Sequence, residues 1–202
     1  MRVRTGRLSD QSSSALKSSI SATMPNVETT CSDHSRQPLL TIGYGSQRSF
    51  DDFVTLLLNY GVDYLVDVRT KPFSKFRPEF SQEPLAANLR RSGIAYVSLG
   101  ATLGGRPNDP TCYTDGKIDY CKVHERDWFG EGLSRLVTGW RKGHHIAIMC
   151  AELAPERCHR TKLVGEALVA QGVLVAHIDA DGLLVTHEAV IARLQRGQIP
   201  LF

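Results

Sequence analysis

The chain has 202 residues, 42% of them hydrophobic, with a formal net charge of only +3 at pH 7. These values fit one domain with an ordinary core, and they exclude a polycation that binds nucleic acid through bulk charge. No run of 18 apolar residues occurs, so no membrane span is expected. The five cysteines are an odd number without a secretory segment before them, which predicts free thiols and a cytoplasmic location.

Residues 1–37 differ from the rest of the chain in composition. They hold nine serines and little apolar periodicity, which predicts a disordered tail. The first part is basic and poor in acids, as in an organelle transit peptide. A plain extension, or a true start at Met24, are the alternatives that the sequence leaves open.

Short β-rich runs alternate with helical patterns from Leu39 onward. The predicted strands are 39–45, 62–68, 94–99, 145–150 and 173–178, and the predicted helices are 50–60, 82–92, 128–142, 156–171 and a last one from about 186. Residues 100–124 are predicted to be an irregular loop. The alternation predicts one α/β domain over residues 38–196, with a mostly parallel, Rossmann-like sheet and helices on both faces. Ligands of such sheets bind beyond the carboxyl ends of the strands.

Charged and aromatic side chains follow the second predicted strand. Asp67 and Arg69 are two residues apart at its end, so they are expected on the same face. Three basic residues alternate with two aromatic ones in the next segment: Lys71, Phe73, Lys75, Phe76 and Arg77. This pattern indicates an anion or nucleic-acid contact, and the alternative is a solvated loop whose rings cap the core.

The densest chemistry follows the fourth predicted strand, in the segment C-A-E-L-A-P-E-R-C-H-R (150–160). Pro155 is expected to open a helix with Cys158, His159 and Arg160 in or near its first turn, where free N–H groups bind anions and lower the pKa of a thiol. Glu152 could orient His159 or act as a base. For Cys150 the alternative is a buried, unreactive thiol.

A zinc shell is the main competing interpretation of these residues. Cys121 and His124 have ligand-like spacing and could join Cys150, Cys158 and His159. However, Cys150 and Cys158 are eight residues apart and no Cys-x-x-Cys pair occurs, so the sequence predicts neither a metal nor a cofactor.

Four segments and one histidine together form a recognisable pattern: T-I-G-Y-G (41–45), D-V-R (67–69), L-G-G-R (103–106), M-C-A-E-x-x-P-E-R-C-H-R (149–160) and His177. This pattern resembles the bacterial and archaeal family called domain of unknown function 488, over about residues 39–180. The resemblance implies a fold and a site, to which it adds Arg106, but no reaction. The chain departs from many relatives at Tyr44, where histidine is expected. Similarity to rhodanese-like sulfurtransferases is limited to layout, with Asp67, Arg69 and Cys150 in the matching places.

The last residues of the sequence, G-Q-I-P-L-F (197–202), suggest a partner. Gln198, Leu201 and Phe202 resemble the Q-L-x-L-F peptide that docks on the bacterial sliding clamp. The alternative is that this segment folds back onto the core.

Two hypotheses follow. The first is an enzyme acting on nucleotides or nucleic acid in DNA maintenance, with Cys150 or Cys158 as the nucleophile and Glu152 and His159 in proton transfer. The residues assigned to ligand or phosphate are Asp67, Arg69, Lys71, Arg77, Arg106 and Arg160. The second is a non-catalytic module that senses nucleotides or assists DNA repair by binding the sliding clamp.

Overall fold

The computed structural model describes residues 37–45 and 49–196. Its strands are β1 (Leu39–Gly43), β2 (Tyr64–Asp67), β3 (Ala95–Ser98), β4 (Tyr113–Thr114), β5 (Lys117–Ile118), β6 (Ile146–Cys150), β7 (Val175–Ile178) and β8 (Leu184–Thr186). Six of them form one sheet in the order β3-β2-β6-β1-β7-β8, parallel except for the β7–β8 pair. The predicted α/β domain is therefore confirmed, whereas the predicted tail at 1–37 and the clamp peptide at 197–202 lie almost wholly outside the described residues.

The helices lie between the strands. They are α1 (Phe50–Asn59), α2 (Gln82–Arg91), α3 (Gly100–Leu103), α4 (Tyr120–His124), α5 (Asp127–Arg141), α6 (Glu166–Val169) and α7 (His187–Arg196). Short 3₁₀ turns occupy Pro78–Phe80, Pro110–Cys112 and Pro155–Arg157, and Arg160–Gly165 is π-helical. Among the helices of the described residues, none combines the length and apolarity needed to cross a membrane.

Helix α1 shows how local sequence fixes an element. The Ser49 hydroxyl caps its first turn by accepting a hydrogen bond from the amide of Asp52 at 3.0 Å, and both first-turn acids favour the positive helix end. Phe53 and Leu57 are one turn apart and bury the same face against the sheet. Gly61 adopts φ +63° and ends the pattern, as the sequence predicts.

The helices cover the two faces of the sheet in a way that opens a crevice at the end of β6. Helices α1 and α2 pack on one face, and α5 with the π-helical segment packs on the other. The connections after β1 and β2 run to the first face, whereas the connection after β6, which lies between them, runs to the second. Where the connections of neighbouring strands leave to opposite faces, the loops diverge and leave a crevice beyond the carboxyl ends of the strands, and ligands bind there.

The segment after β6 differs from the predicted helix 156–171. Residues Pro155–Arg157 form a 3₁₀ turn, and Cys158 is extended, with φ −106° and ψ 145°. Its carbonyl accepts hydrogen bonds from the amides of Thr161 and Lys162 at 3.1 and 3.2 Å. Cys158 therefore precedes the helix as its cap and is not part of the first turn. The π-helical turn that follows is a rare geometry that is common at functional sites.

A chain of buried polar side chains connects β1 to α7 beneath the second face. The Arg160 Nε donates to the Thr41 hydroxyl at 3.3 Å, and that hydroxyl lies 2.7 Å from His177 Nδ1. His177 Nε2 lies 3.0 Å from His187 Nδ1, and His187 Nε2 lies 2.7 Å from the Glu166 carboxylate. Every contact has one donor and one acceptor if the Thr41 hydroxyl donates to a neutral His177, His177 Nε2 donates to His187, and His187 Nε2 donates to Glu166. Burial, then the adjacent His187 and Arg160, lower the pKa of His177 to about 3.

The depressed pKa of His177 predicts a loss of stability in mild acid. An unfolded histidine titrates near pH 6.5, so between about pH 6.5 and about pH 3 the unfolded chain binds a proton that folded His177 does not. The free energy of unfolding should therefore fall below about pH 6.5, by up to about 1.4 kcal/mol per pH unit from this group. Urea denaturation at pH 7 and pH 5 should show a smaller decrease for His177→Gln than for the wild type.

Exposed His145 supplies the matched control, since His145→Gln should keep the wild-type pH dependence. Equal decreases for the wild type and His177→Gln would show that the buried imidazole is not responsible.

Candidate active site

A cleft of about 980 Å³ lies at the carboxyl ends of β1, β2 and β6. Seven of the residues predicted for the site line this cleft: Arg69, Lys71, Arg106, Cys150, Glu152, Cys158 and His159. The remaining lining includes Tyr44, Thr70, Phe73, Gly105, Tyr113, Tyr120 and Arg157. The structure thus brings the two predicted segments, 67–77 and 150–160, to one edge of the sheet.

Two thiols and one imidazole meet at the base of the cleft. His159 Nδ1 lies 3.7 Å from the Cys150 Sγ and 3.7 Å from the Cys158 Sγ. The other ring nitrogen, Nε2, lies 3.0 Å from the Val68 carbonyl oxygen. Because a carbonyl only accepts, Nε2 carries the hydrogen, and the lone pair of Nδ1 faces the sulfurs. His159 is therefore oriented as a base for a thiol proton.

The two thiols differ in acidity. A hydrogen bond from Cys158 lowers the pKa of Cys150 strongly, against the effect of burial, and His159 and the amide of Glu152 lower it further. The pKa of Cys158 is raised, because its proton is shared with Cys150 and because the thiol is buried. The amide and the charge of Arg160 at the helix start do lower the pKa of Cys158, as expected, but the hydrogen bond to Cys150 and burial outweigh them. Of the two thiols, Cys150 is therefore the one with the lower pKa.

Asp67 does not line the cleft but holds Arg69, which does. The Asp67 carboxylate is fully buried and accepts from Arg69 Nε at 2.9 Å and Nη2 at 2.6 Å. In the sheet Asp67 pairs with Met149, so its side chain lies on the opposite face from Cys150. Burial alone would lower the pKa of Arg69, but the Asp67 carboxylate raises it above its ordinary value. Arg69 Nη1 is left near the cleft, 3.4 Å from the Tyr44 hydroxyl.

Arg160 was predicted to bind ligand, but its side chain is part of the interior. It is wholly buried, and its guanidinium donates to the carbonyl oxygens of Glu152 and Leu153, the second at 3.0 Å, as well as to Thr41. With these donors already used, Arg160 holds the loop that follows Cys150 and does not face the cleft.

Arg77 is likewise engaged away from the cleft. Its guanidinium stacks 4.3 Å from the centre of the Phe80 ring, pairs with Glu79 at 3.0 Å and donates to the Gly45 carbonyl at 2.7 Å. The Phe80 ring in turn stacks on Tyr44, with centroids 4.3 Å apart. Arg77 therefore fixes the cleft wall formed by Tyr44, and the prediction that it binds ligand is not supported by its position.

Sequence reasoning missed the wall of the cleft formed by Tyr113 and Tyr120. Tyr113 begins a hairpin of β4 and β5 inside the segment predicted to be irregular, and Tyr120 begins α4. The hairpin had a signal in the sequence, since Asp115-Gly116 between short β-rich runs is a typical two-residue turn. Both turn residues have positive φ, +50° and +73°. Arg157, exposed on the rim, was also not among the residues assigned to ligand.

Two glycines leave space for the tight packing around the site. A Cβ atom on Gly43 would lie 2.0 Å from the Glu152 carbonyl oxygen, and one on Gly105 would lie 2.5 Å from Cγ of the His159 ring. The L-G-G-R segment therefore packs its backbone against the imidazole and helps to fix the ring.

Three side chains could hold a metal ion. The ligand atoms of Cys150, Cys158 and His159 all lie within 4.8 Å of one another. Cys121 and His124, which the sequence made possible ligands, are not in this group, and His124 Nε2 lies 3.3 Å from the Leu163 carbonyl oxygen.

Comparison with known proteins identifies the family. Residues 49–167 match the family model described as Domain of unknown function DUF488, and the chain belongs to this family. Neither the curated proteins nor the solved structures contain a match to the chain.

The role of Arg160 leads to a prediction about stability. Lysine keeps the charge but cannot reach three acceptors with a rigid fork, so Arg160→Lys should lower the free energy of unfolding by about 2–4 kcal/mol. Arg141→Lys, at an exposed position of α5, is the control and should change it by less than about 0.5 kcal/mol. Urea denaturation at pH 7 measures both. A value for Arg160→Lys as small as the control would mean that the guanidinium does not hold the loop.

Proposed function

We propose that this protein is an enzyme that uses the thiolate of Cys150 as a nucleophile on a nucleotide or nucleic acid. The observation that carries the proposal is the meeting of the Cys150 and Cys158 sulfurs with the lone pair of His159 Nδ1 at the base of a large cleft. A nucleophile within reach of a base, whose ring is oriented by a third group, is the arrangement required for covalent catalysis. The Val68 carbonyl is that third group.

The proposed reaction has two steps. The Cys150 sulfur bonds to the electrophilic atom of the substrate, the bond to the leaving group breaks, and the electron pair departs with that group. His159, having accepted the thiol proton, donates it to the leaving group. A water molecule, whose proton Glu152 or His159 accepts, then bonds to the same atom and displaces the sulfur as a thiolate. Glu152 is exposed in the cleft, where one carboxylate oxygen accepts a hydrogen bond from the Ala154 amide at 3.4 Å.

The rim of the cleft supports an anionic substrate. Three exposed basic side chains line it, Lys71, Arg106 and Arg157, against the one carboxylate of Glu152, while the charge of buried Arg69 is balanced by Asp67. Because the whole chain carries a net charge of only +3, this excess is concentrated at the cleft. Clustered basic groups in a crevice raise the local concentration of phosphate-bearing molecules.

Two exposed aromatic rings favour nucleic acid within that class. Phe73 lines the cleft and is 72% exposed, and neighbouring Phe76 is 91% exposed. The Lys75 ammonium lies 5.9 Å from the centre of the Phe76 ring. Exposed rings flanked by lysines are the surface on which unpaired bases stack, with the lysines near the phosphates. A role in DNA maintenance, in a reducing compartment such as the cytoplasm, is part of this proposal.

Binding through the rim can be tested by charge reversal. Fluorescence anisotropy with a labelled 12-nucleotide single-stranded DNA, competed by mononucleotides, should give at least about tenfold weaker binding for Lys71→Glu/Arg106→Glu than for the wild type. Arg90→Glu/Arg141→Glu makes the same charge change at exposed positions outside the cleft and should weaken binding much less. Equal losses in the two double variants would show that only net charge matters.

Catalysis is tested with the ligand that binds most tightly in that assay. In Cys150→Ser the dissociation constant of this ligand should stay within about threefold of the wild-type value. The turnover rate, followed by mass spectrometry, should fall by a factor of at least about 10³. Cys121→Ser, at an exposed thiol outside the cleft, should keep full turnover. If the wild type binds nucleotides or DNA without converting any of them, the non-catalytic module is the correct interpretation.

A further inference from the structure

We infer that Cys150, Cys158 and His159 form a binding site for one zinc ion, with a fourth coordination position open to the cleft. The two sulfurs and His159 Nδ1 lie within 4.8 Å of one another. Thiolate and imidazole are the ligands that zinc prefers, and a Cys₂His set with one open position is known in catalytic zinc sites.

The distances from the imidazole nitrogen to the two sulfurs fit a tetrahedral ion, and the sulfurs lie within 4.8 Å of each other. Zinc binds thiolate sulfur at about 2.3 Å and imidazole nitrogen at about 2.0–2.1 Å, which places the two ligand atoms about 3.6 Å apart at a tetrahedral angle. Both sulfurs are 3.7 Å from His159 Nδ1. An ion could therefore be bound with shifts of only a few tenths of an ångström on the nitrogen side.

The surroundings of the three ligands are those of a metal site. Zinc-binding histidines usually donate their second ring N–H to a carbonyl or carboxylate, and His159 Nε2 has the Val68 carbonyl oxygen at 3.0 Å. The backbone amide of Arg160 points to the Cys158 Sγ at 3.5 Å, where it would stabilise a coordinated thiolate. Gly105, which lies against the imidazole, limits its rotation.

The open position faces the cleft. All three ligands line it, and within the part of the chain that the structure describes their group contains no fourth histidine, cysteine or carboxylate. Glu152, two residues after Cys150, lies on the same wall and could accept a hydrogen bond from a water bound at that position. A site with three protein ligands and an accessible fourth position is typical of zinc that takes part in chemistry and not of purely structural zinc.

The zinc site uses the same residues as the proposed function but does not rest on it, because metal binding can be measured without turnover. Where the nucleophilic mechanism holds, bound zinc coordinates the Cys150 sulfur and makes it unavailable. Zinc then inhibits the enzyme, and removal of the ion restores it.

The test uses the full-length chain, purified under reducing conditions and freed of metal with a chelator. Titration with zinc chloride against a chromophoric chelator should show one high-affinity ion per chain. Cobalt(II) should give a thiolate-to-metal charge-transfer band in the near ultraviolet. Cys150→Ser, Cys158→Ser and His159→Ala should each weaken zinc binding by at least about 100-fold, whereas Cys121→Ser should bind as the wild type does. Circular dichroism establishes that each variant is folded.

A second readout on the wild type does not depend on the folding of any variant. Zinc should protect Cys150 from iodoacetamide, as read by peptide mass spectrometry, while Cys121 remains reactive. The inference is overturned if the wild type binds less than one zinc per chain, if Cys158→Ser binds zinc as tightly as the wild type, or if zinc leaves Cys150 labelling unchanged.

Turnover separates this inference from the proposed function. Inhibition of the metal-free enzyme by zinc supports both. Zinc binding without any turnover, or turnover that requires zinc, supports the metal site and overturns the nucleophilic mechanism. Turnover without zinc binding supports the nucleophilic mechanism and overturns the metal site.

Discussion

The site depends on the hydrogen bonds that the buried guanidinium of Arg160 donates. A charge without access to water is tolerated only where hydrogen-bond acceptors surround it, and leaving it unpaired costs several kcal/mol. Its acceptors are the Thr41 hydroxyl in β1 and the carbonyls of Glu152 and Leu153, which follow β6. The loop after Cys150 must therefore turn these carbonyls inward, and Gly43 is the residue that leaves space for it. This constraint brings Cys158 back beside Cys150.

The two buried arginines, Arg160 and Arg69, differ in how much of the guanidinium is left for a ligand. Arg160 is wholly engaged by the interior, whereas Arg69 is held on one side by Asp67 and is left with Nη1 near the cleft. The positive charge of the cleft thus comes mainly from the exposed groups of Lys71, Arg106 and Arg157, because Asp67 balances the charge of Arg69 and leaves Nη1 as a hydrogen-bond donor. For the substrate that we propose, the fixed guanidinium of Arg69 would help to place the reacting atom, and the exposed charges of the rim would attract the phosphates.

The thiol pair at the base of the cleft can be used in two mutually exclusive ways. With a proton between the sulfurs, Cys150 is a nucleophile beside an oriented base; with a metal ion between them, both sulfurs are ligands. The same feature, a His159 ring whose tautomer is fixed by the Val68 carbonyl, serves either use, because in each case Nδ1 must present a lone pair. On the two proposals, the occupant of this small volume would decide between nucleophile and metal ligand.

The sequence by itself determined the fold class, the order of the main elements and the two segments that form the site. Hydrophobic periodicity and the helix stops at residues such as Gly61 are local, and parallel strands must end at one edge, so Arg69 and Cys150 could be placed there from the pattern alone. Only the tertiary structure decided which side chains face the cleft. Arg160 and Arg77 look like Arg69 in the sequence, yet a long side chain from a helix start or a loop can point inward, and their partners are backbone carbonyls that no sequence pattern specifies. The pairing of Cys150 with Cys158, eight residues away, depends on a 3₁₀ turn and a buried charge, and therefore on packing and not on spacing.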